Sequence, residues 1–201
     1  EALLGLLKDE SESVRYFAVV ALGNLGNASP QVVKALLGLL KDESESVRDF
    51  AAEALGKLGN ASPQVVEALL GLLKDESESV RYFAAFALGK LGNASPQVVE
   101  ALLGLLKDES EIVRDFAAEA LGKLGLGKLG NASPQVVEAL LGLLKDESQS
   151  VRYSAAVALG KLGKNSSNVT PTVAEWILQH QDSKYVGNGI DALWNLVVTE
   201  E

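Results

Sequence analysis

NASPQVVKALLGLLKDESESVRDFAAEALGKLG, residues 27–59, recurs from Asn60 and again from Asn93, each time 33 residues on. A fourth copy starts at Asn131, after five extra residues, and a decayed one starts at Asn168. A fixed period of this size marks an array of helical units, each unable to bury its apolar face alone. Within the unit, Ser29-Pro30 reads as a helix start, with serine as cap and proline in the first helical position. Val32, Val33, Leu36, Leu37, Leu39 and Leu40 follow at helical spacing, which predicts a first helix running to Lys41 or Asp42. Ser44 reads as the cap of a second helix. Its apolar stripe is Val47, Ala51, Ala54, Leu55 and Leu58, and Gly56 and Gly59 mark its end. Each unit is therefore predicted to be a helical hairpin, and the chain an all-α solenoid of about six stacked hairpins.

The repeats span 1–26, 27–59, 60–92, 93–130 with the insertion, and 131–163, closed by a C-terminal cap at 168–201. All belong to one expected domain, 1–201. Leu121–Gly125 (LGKLG) is written twice, the second time as 126–130. Continued as helix, five residues would rotate the downstream repeats by about 140°. With four glycines across the duplication, a loop is expected instead. In the cap, Thr170-Pro171 restates the helix start, and Val173, Ile177 and Leu178 carry the first face. Tyr185, Ile190, Leu193 and Leu196 are expected to form the last stripe, with Trp176 and Trp194 as packing residues.

Of the 201 residues, 47% are hydrophobic, and the net charge is −9. An acidic chain without a basic run is a poor match for nucleic-acid phosphates and for anionic membrane surfaces. There is no cysteine, so disulfide, thiolate and cysteine–metal chemistry are excluded. His180 is the only histidine and has no catalytic companions in sequence; it reads as a surface residue. The glycines spell no phosphate loop. Asn27-Ala28-Ser29, Asn165-Ser166-Ser167 and Asn168-Val169-Thr170 match glycosylation acceptors but read better as turn and cap chemistry. The chain opens mid-pattern at Glu1, has no methionine, and reads as a fragment or processed chain. No apolar run approaches the roughly 18 residues needed to span a bilayer.

Differences among the copies point to a surface. Repeats 27–59 and 60–92 differ at only three positions: Lys34/Glu67, Asp49/Tyr82 and Glu53/Phe86. The position after the recurrent arginine reads Tyr16, Asp49, Tyr82, Asp115 and Tyr153. Four residues on it reads Val20, Glu53, Phe86, Glu119 and Val157. One turn earlier, Ile112 stands where the other copies have Ser13, Ser46, Ser79 and Ser150. These positions share one helix face, turned from the Val47–Leu58 stripe and expected to be exposed. Aromatic and apolar pairs alternate there with acidic pairs. Aromatic side chains suit an interface core, and acidic pairs would draw lysine or arginine. Paired carboxylates such as Asp49/Glu53 imply no metal or acid–base site without a further group.

The motif Asp42…Val47-Arg48…Ala51-Ala52…Ala54-Leu55-Gly56…Leu58-Gly59 resembles HEAT-like repeats of the phycobilisome-lyase type. Such repeats occur in bilin lyases and in prokaryotic scaffold and sensor proteins, and artificial binders have been built on the same consensus. The resemblance implies a right-handed superhelix with the second helices lining its concave side. It also implies an inter-repeat ladder formed by Arg15, Arg48, Arg81, Arg114 and Arg152 with aspartates such as Asp42. It makes the variable face a groove floor, at positions diversified in the artificial binders. The expected function is a cytoplasmic, monomeric, non-enzymatic scaffold without cofactor. It would grip a protein or peptide whose basic groups lie about 20 Å apart, twice a helix spacing. The other reading open to the resemblance is a bilin lyase or isomerase subunit. Copies this similar fit a natural array and a consensus-based artificial one alike.

Overall fold

The structure is a computed structural model and describes residues 2–125 and 133–198. Among the described residues the chain is helical throughout, with twelve helices and no strand. Two compact units divide it, residues 1–93 and 94–201. The first holds α1 (Ala2–Leu6), α2 (Glu12–Leu25), α3 (Pro30–Leu39), α4 (Glu45–Leu58), α5 (Pro63–Leu72) and α6 (Glu78–Leu91). The second holds α7 (Pro96–Leu105), α8 (Glu111–Gly125), α9 (Pro134–Leu143), α10 (Gln149–Gly163), α11 (Val169–Gln179) and α12 (Val186–Val197).

Each first helix of the regular repeats starts on its proline, and Gly26, Gly59 and Gly92 adopt the left-handed conformation, φ 66° to 69°, that closes a second helix. Serine occupies the N-cap but caps less than expected. The hydroxyls of Ser29 and Ser62 make no cap bond, whereas Ser44 Oγ accepts from Val47 N at 3.4 Å. The turns are fastened instead by the residue two before the cap. Asn27 Oδ1 accepts from Ser29 N at 3.0 Å, and Asp42 Oδ1 accepts from Ser44 N at 3.0 Å. Asn and Asp side chains do this routinely, mimicking a backbone turn.

Val32, Val33, Leu36, Leu40, Val47, Ala51, Ala54 and Leu55 are buried, as the helical spacing predicts, and the same set recurs in the next repeat. Gly56 is not a helix end. It lies inside α4, where a Cβ would stand 2.8 Å from Ala87 Cα of α6. Gly23 faces Ala54 in the same way, and Gly122 faces Ala158 in unit 2. Neighbouring second helices therefore touch backbone to backbone. Gly38 and Gly71, on the first helices, have open space where a Cβ would go. Gly71→Ala is expected to stabilise by about 1 kcal/mol through helix propensity alone. Gly56→Ala gains the same propensity but must push α4 off α6, for a net loss of about 1 kcal/mol. Urea unfolding of the two variants checks the difference in sign.

The expected loop at 126–130 lies outside the described residues. The helices flanking it keep their register. Gly56 meets Ala87, 31 residues on, and Gly122 meets Ala158, 36 on, so the same glycine and alanine positions pair despite the five extra residues in the sequence between them. In the cap, Trp176 is buried and stacks on His180, with ring centroids 4.2 Å apart, so His180 is half-buried rather than a plain surface residue. Trp194 is 68% exposed and Ile190 also faces out, contrary to the packing expected of them. Gly189 and Ala192 take the inner face of α12, because a side chain at 189 would run into Trp176 and Ile177.

Candidate functional site

Arg15 and Arg48 form rungs of the expected ladder in unit 1, and Arg114 forms one in unit 2. Arg15 grips Asp42 with Nε and Nη2, both at 2.8 Å, while Nη1 donates to the carbonyls of Asp9 and Glu10. Arg48 holds Asp75 in the same fork at 3.0 and 2.9 Å. Arg114 holds Asp146 at 2.9 Å, across the insertion. These pairs are not surface pairs: the side chains of Arg15 and Asp42 are 9% and 8% exposed. Burial pushes the three carboxyls up, but the arginine forks and the serine N–H groups outweigh it, and all three sit below their ordinary value.

The variable positions fall on the second helices. In unit 1 the face carries Tyr16 and Val20 from α2, Asp49 and Glu53 from α4, and Tyr82 and Phe86 from α6. In unit 2 it carries Ile112, Asp115 and Glu119 from α8, and Tyr153 and Val157 from α10. Only Ile112 and Tyr153 are openly exposed; the others are half-buried, and Asp49 is buried at 6%. The expected exposure fails because glycine–alanine contact draws neighbouring second helices so close that each flanks the side chains of the last.

Asp49 is the consequence. Its Oδ2 accepts from Ser79 Oγ of the next second helix at 3.0 Å, while Oδ1 is buried without a partner. Burial pushes its carboxyl up to about 6, partly offset by the Ser79 hydroxyl and the Phe50 backbone N–H, with Glu45 and Glu53 raising it further. Asp115 repeats the pattern in unit 2: its Oδ1 is also buried without a partner, and burial again raises its carboxyl. The acidic partners differ. Glu53 is held by Lys57 at 3.0 Å, and Glu119 by Lys123 at 2.7 Å, each one turn on in its own helix. The aspartates, not the glutamates, carry the unmet acceptors.

Aromatic rings border Asp49. Tyr16 meets Phe50 edge-on at 4.8 Å, Phe50 meets Phe83 at 5.4 Å, and Phe83 meets Tyr82 at 4.5 Å. Burial, then Asp49, Glu53 and Glu78, raise the Tyr82 hydroxyl above its ordinary value. Phe50 and Phe83 belong to the strip but are absent from the expected residues. Phenylalanine holds this position in four copies, at 17, 50, 83 and 116, and only Ser154 departs from it, so the variation that marks the others is nearly absent here. An alternation of ring and carboxylate on a half-buried face can seat an alkyl-ammonium or guanidinium group, its stem on the rings and its charge on the carboxylate. A separate apolar cavity of about 640 Å³ lies between α1 and α3, lined by Leu4, Leu7, Ala35 and Leu39. It sits on the first-helix side and shares no residue with this face.

Among the described residues no group of three or more metal-ligating side chains converges, and no helix is long and apolar enough to cross a membrane. No curated protein sequence matches the chain. Solved structures similar in fold include an engineered protein, 22% identical with a TM-score of 0.68 over 97% of this chain and 95% of the other. A chain from a structure of computationally designed armadillo repeat proteins for modular peptide recognition is 21% identical, TM-score 0.61, over 96% and 98%. A designed armadillo repeat protein in complex with the peptide (KR)4 is also 21% identical, TM-score 0.66, over 97% and 98%. At these identities the likeness is one of fold, an armadillo-like α-solenoid. The family model for HEAT repeats matches residues 1–79, 66–128 and 124–194, and the chain belongs to that family.

Proposed function

We propose that the second-helix face is a non-enzymatic docking surface for an extended, basic protein or peptide segment. The observation that carries this reading is Asp49. A buried carboxylate with an unpartnered oxygen, beside half-buried aromatics, is a costly arrangement, and a cation docked over this face would offset the burial of its charge. Asp115 supplies the same arrangement in unit 2. The packing supports an inner position for this face in unit 1: the second helices close on each other at Gly23 and Gly56, while the first helices leave space at Gly38 and Gly71. The designed armadillo protein solved with (KR)4 has a similar fold and a ligand of the proposed chemistry.

Fluorescence anisotropy with a labelled (KR)4 peptide tests the reading. Tyr82→Ala and Phe86→Ala are each expected to weaken binding roughly fivefold, since both contribute half-buried ring surface. Unchanged affinity in the double variant, with unfolding intact, would remove the aromatic strip from the interface.

A further inference from the structure

The arginine ladder stops one rung short. Arg152 donates through Nη1 to the carbonyls of Asp146 and Glu147, at 2.8 and 2.9 Å, as every earlier arginine does in its own turn. No carboxylate among the described residues takes its Nε–Nη2 edge. Arg15, Arg48 and Arg114 each present that edge to an aspartate of the following repeat.

The missing aspartate can be located. In regular repeats it stands two residues before the second-helix cap and accepts that residue's N–H: Asp42 from Ser44, Asp75 from Ser77, Asp146 from Ser148. In the last hairpin the cap of α12 is Tyr185, and the residue two before it is Ser183, whose Oγ accepts from Tyr185 N at 3.2 Å. The turn is kept and the carboxylate is gone.

Around Arg152 the structure leaves a cavity of about 410 Å³, lined also by Glu147, Lys184, Tyr185 and Asn188. Tyr185 lies under both cations, its ring centroid 5.8 Å from the Arg152 guanidinium carbon and 4.8 Å from Lys184 Nζ. Glu147 is 90% exposed at its side chain and leans toward Arg114, 3.6 Å away. Asn188 donates to the Leu144 carbonyl at 2.9 Å, which fixes α12 against the turn after α9. Two cations with no carboxylate of their own among the described residues thus share one aromatic wall, on a chain of net charge −9.

We propose that this cavity is a carboxylate-binding site, with Arg152 as the bidentate donor and Lys184 as the second cation, taking an acidic side chain from a ligand. The ligand class is read from the molecule itself. The same fork, in the same turn, holds a planar carboxylate three times over, and a guanidinium matches that shape with two parallel hydrogen bonds. The site is separate from the second-helix face and stands whether or not that face binds basic peptides.

The test monitors the side-chain Nε–Hε NMR resonance of Arg152 while acetyl-Gly-Asp-Gly-amide is added, with the Asn counterpart and inorganic phosphate as comparisons. A saturable shift with the aspartyl peptide is expected, with binding of the asparaginyl peptide roughly tenfold weaker, as loss of a charged hydrogen-bond pair implies. Ser183→Asp returns the missing rung. It is expected to abolish the shift and to raise the melting temperature, and it keeps the test valid even if Arg152→Gln fails to fold. Equal binding of the two peptides, undiminished binding in Ser183→Asp, or tighter binding of phosphate than of the aspartyl peptide would each overturn the assignment.

Discussion

Arg48→Ala is expected to destabilise unit 1 by about 3–5 kcal/mol, the loss typical of breaking a buried ion pair from one side. The side chains of Arg48 and Asp75 are 12% and 13% exposed, so water cannot readily replace the missing partner. The substitution removes four hydrogen bonds together, two to Asp75 and two to the carbonyls of Asp42 and Glu43. It leaves Asp75 with the Ser77 N–H in a setting where burial pushes its carboxyl up. In wild type the Arg48 fork holds that carboxyl below its ordinary value, so the pair contributes stability above the unfolded pKa and loses it as pH falls below about 4. The variant should lose that acid-labile part. Because stability in an array is a sum of hairpin and neighbour terms, the loss should fall on the α4–α6 contact. Hydrogen exchange should then show the hairpins on either side opening separately. Arg48→Lys should recover less than half of the stability, since an ammonium keeps the charge but not the fork. Unfolding curves that superimpose for wild type and Arg48→Ala would refute the ladder as a source of stability. Replacing Arg48 with Met and Asp75 with Leu together should cost far less than either single change.

Much of this architecture is legible in one repeat, and the limits of that legibility are physical. The Ser-Pro starts place α3, α5, α7 and α9 on their prolines, and the left-handed glycines fall where the end signals stand. These features are local, set by backbone sterics within a few residues. Gly56 reads as a helix end in sequence because its actual reason lies 31 residues away, in Ala87. The ladder is expected as a pattern, but its burial depends on how tightly the turns stack, so pairs worth little at a surface are enclosed instead. Periodicity likewise separates an inner helix face from an outer one, yet cannot tell an open face from one flanked by the next hairpin. Asp49 looks exposed on the helix alone and is covered once Ser79 and α6 are in place. The cap fails most, at Trp194 and Ile190, where the repeat grammar has decayed.

Asp49→Asn should do two opposite things. At pH 7 it is expected to raise stability by about 2 kcal/mol, or roughly 4–8 °C in melting temperature for a chain of this size. The reason is that Asp49 titrates near 6 in the folded chain, pushed up first by burial, against about 3.9 when unfolded. A folded-state value above the unfolded one means that protonation favours the fold. Its contribution is fully present below about pH 4 and is lost as pH rises through about 6. An amide cannot ionise, so the advantage of the variant should be large at pH 7, shrink through pH 6 and vanish near pH 4. The ladder carboxylates titrate with the opposite sign and at lower pH, and they cancel in the difference between the two proteins. The same change should weaken binding of the (KR)4 peptide about tenfold, because a ligand cation beside Asp49 repays the burial of its charge. Wild-type binding should therefore tighten as pH rises from 5 to 7 and release a proton on complex formation below pH 6, whereas binding by Asp49→Asn should be flat over that range. A residue that weakens the fold and strengthens the complex is under a functional constraint, not a structural one. If Asp49→Asn stabilised the chain yet bound the peptide as tightly as wild type with the same pH profile, Asp49 would be a packing defect, and the basic-ligand reading would lose its main support.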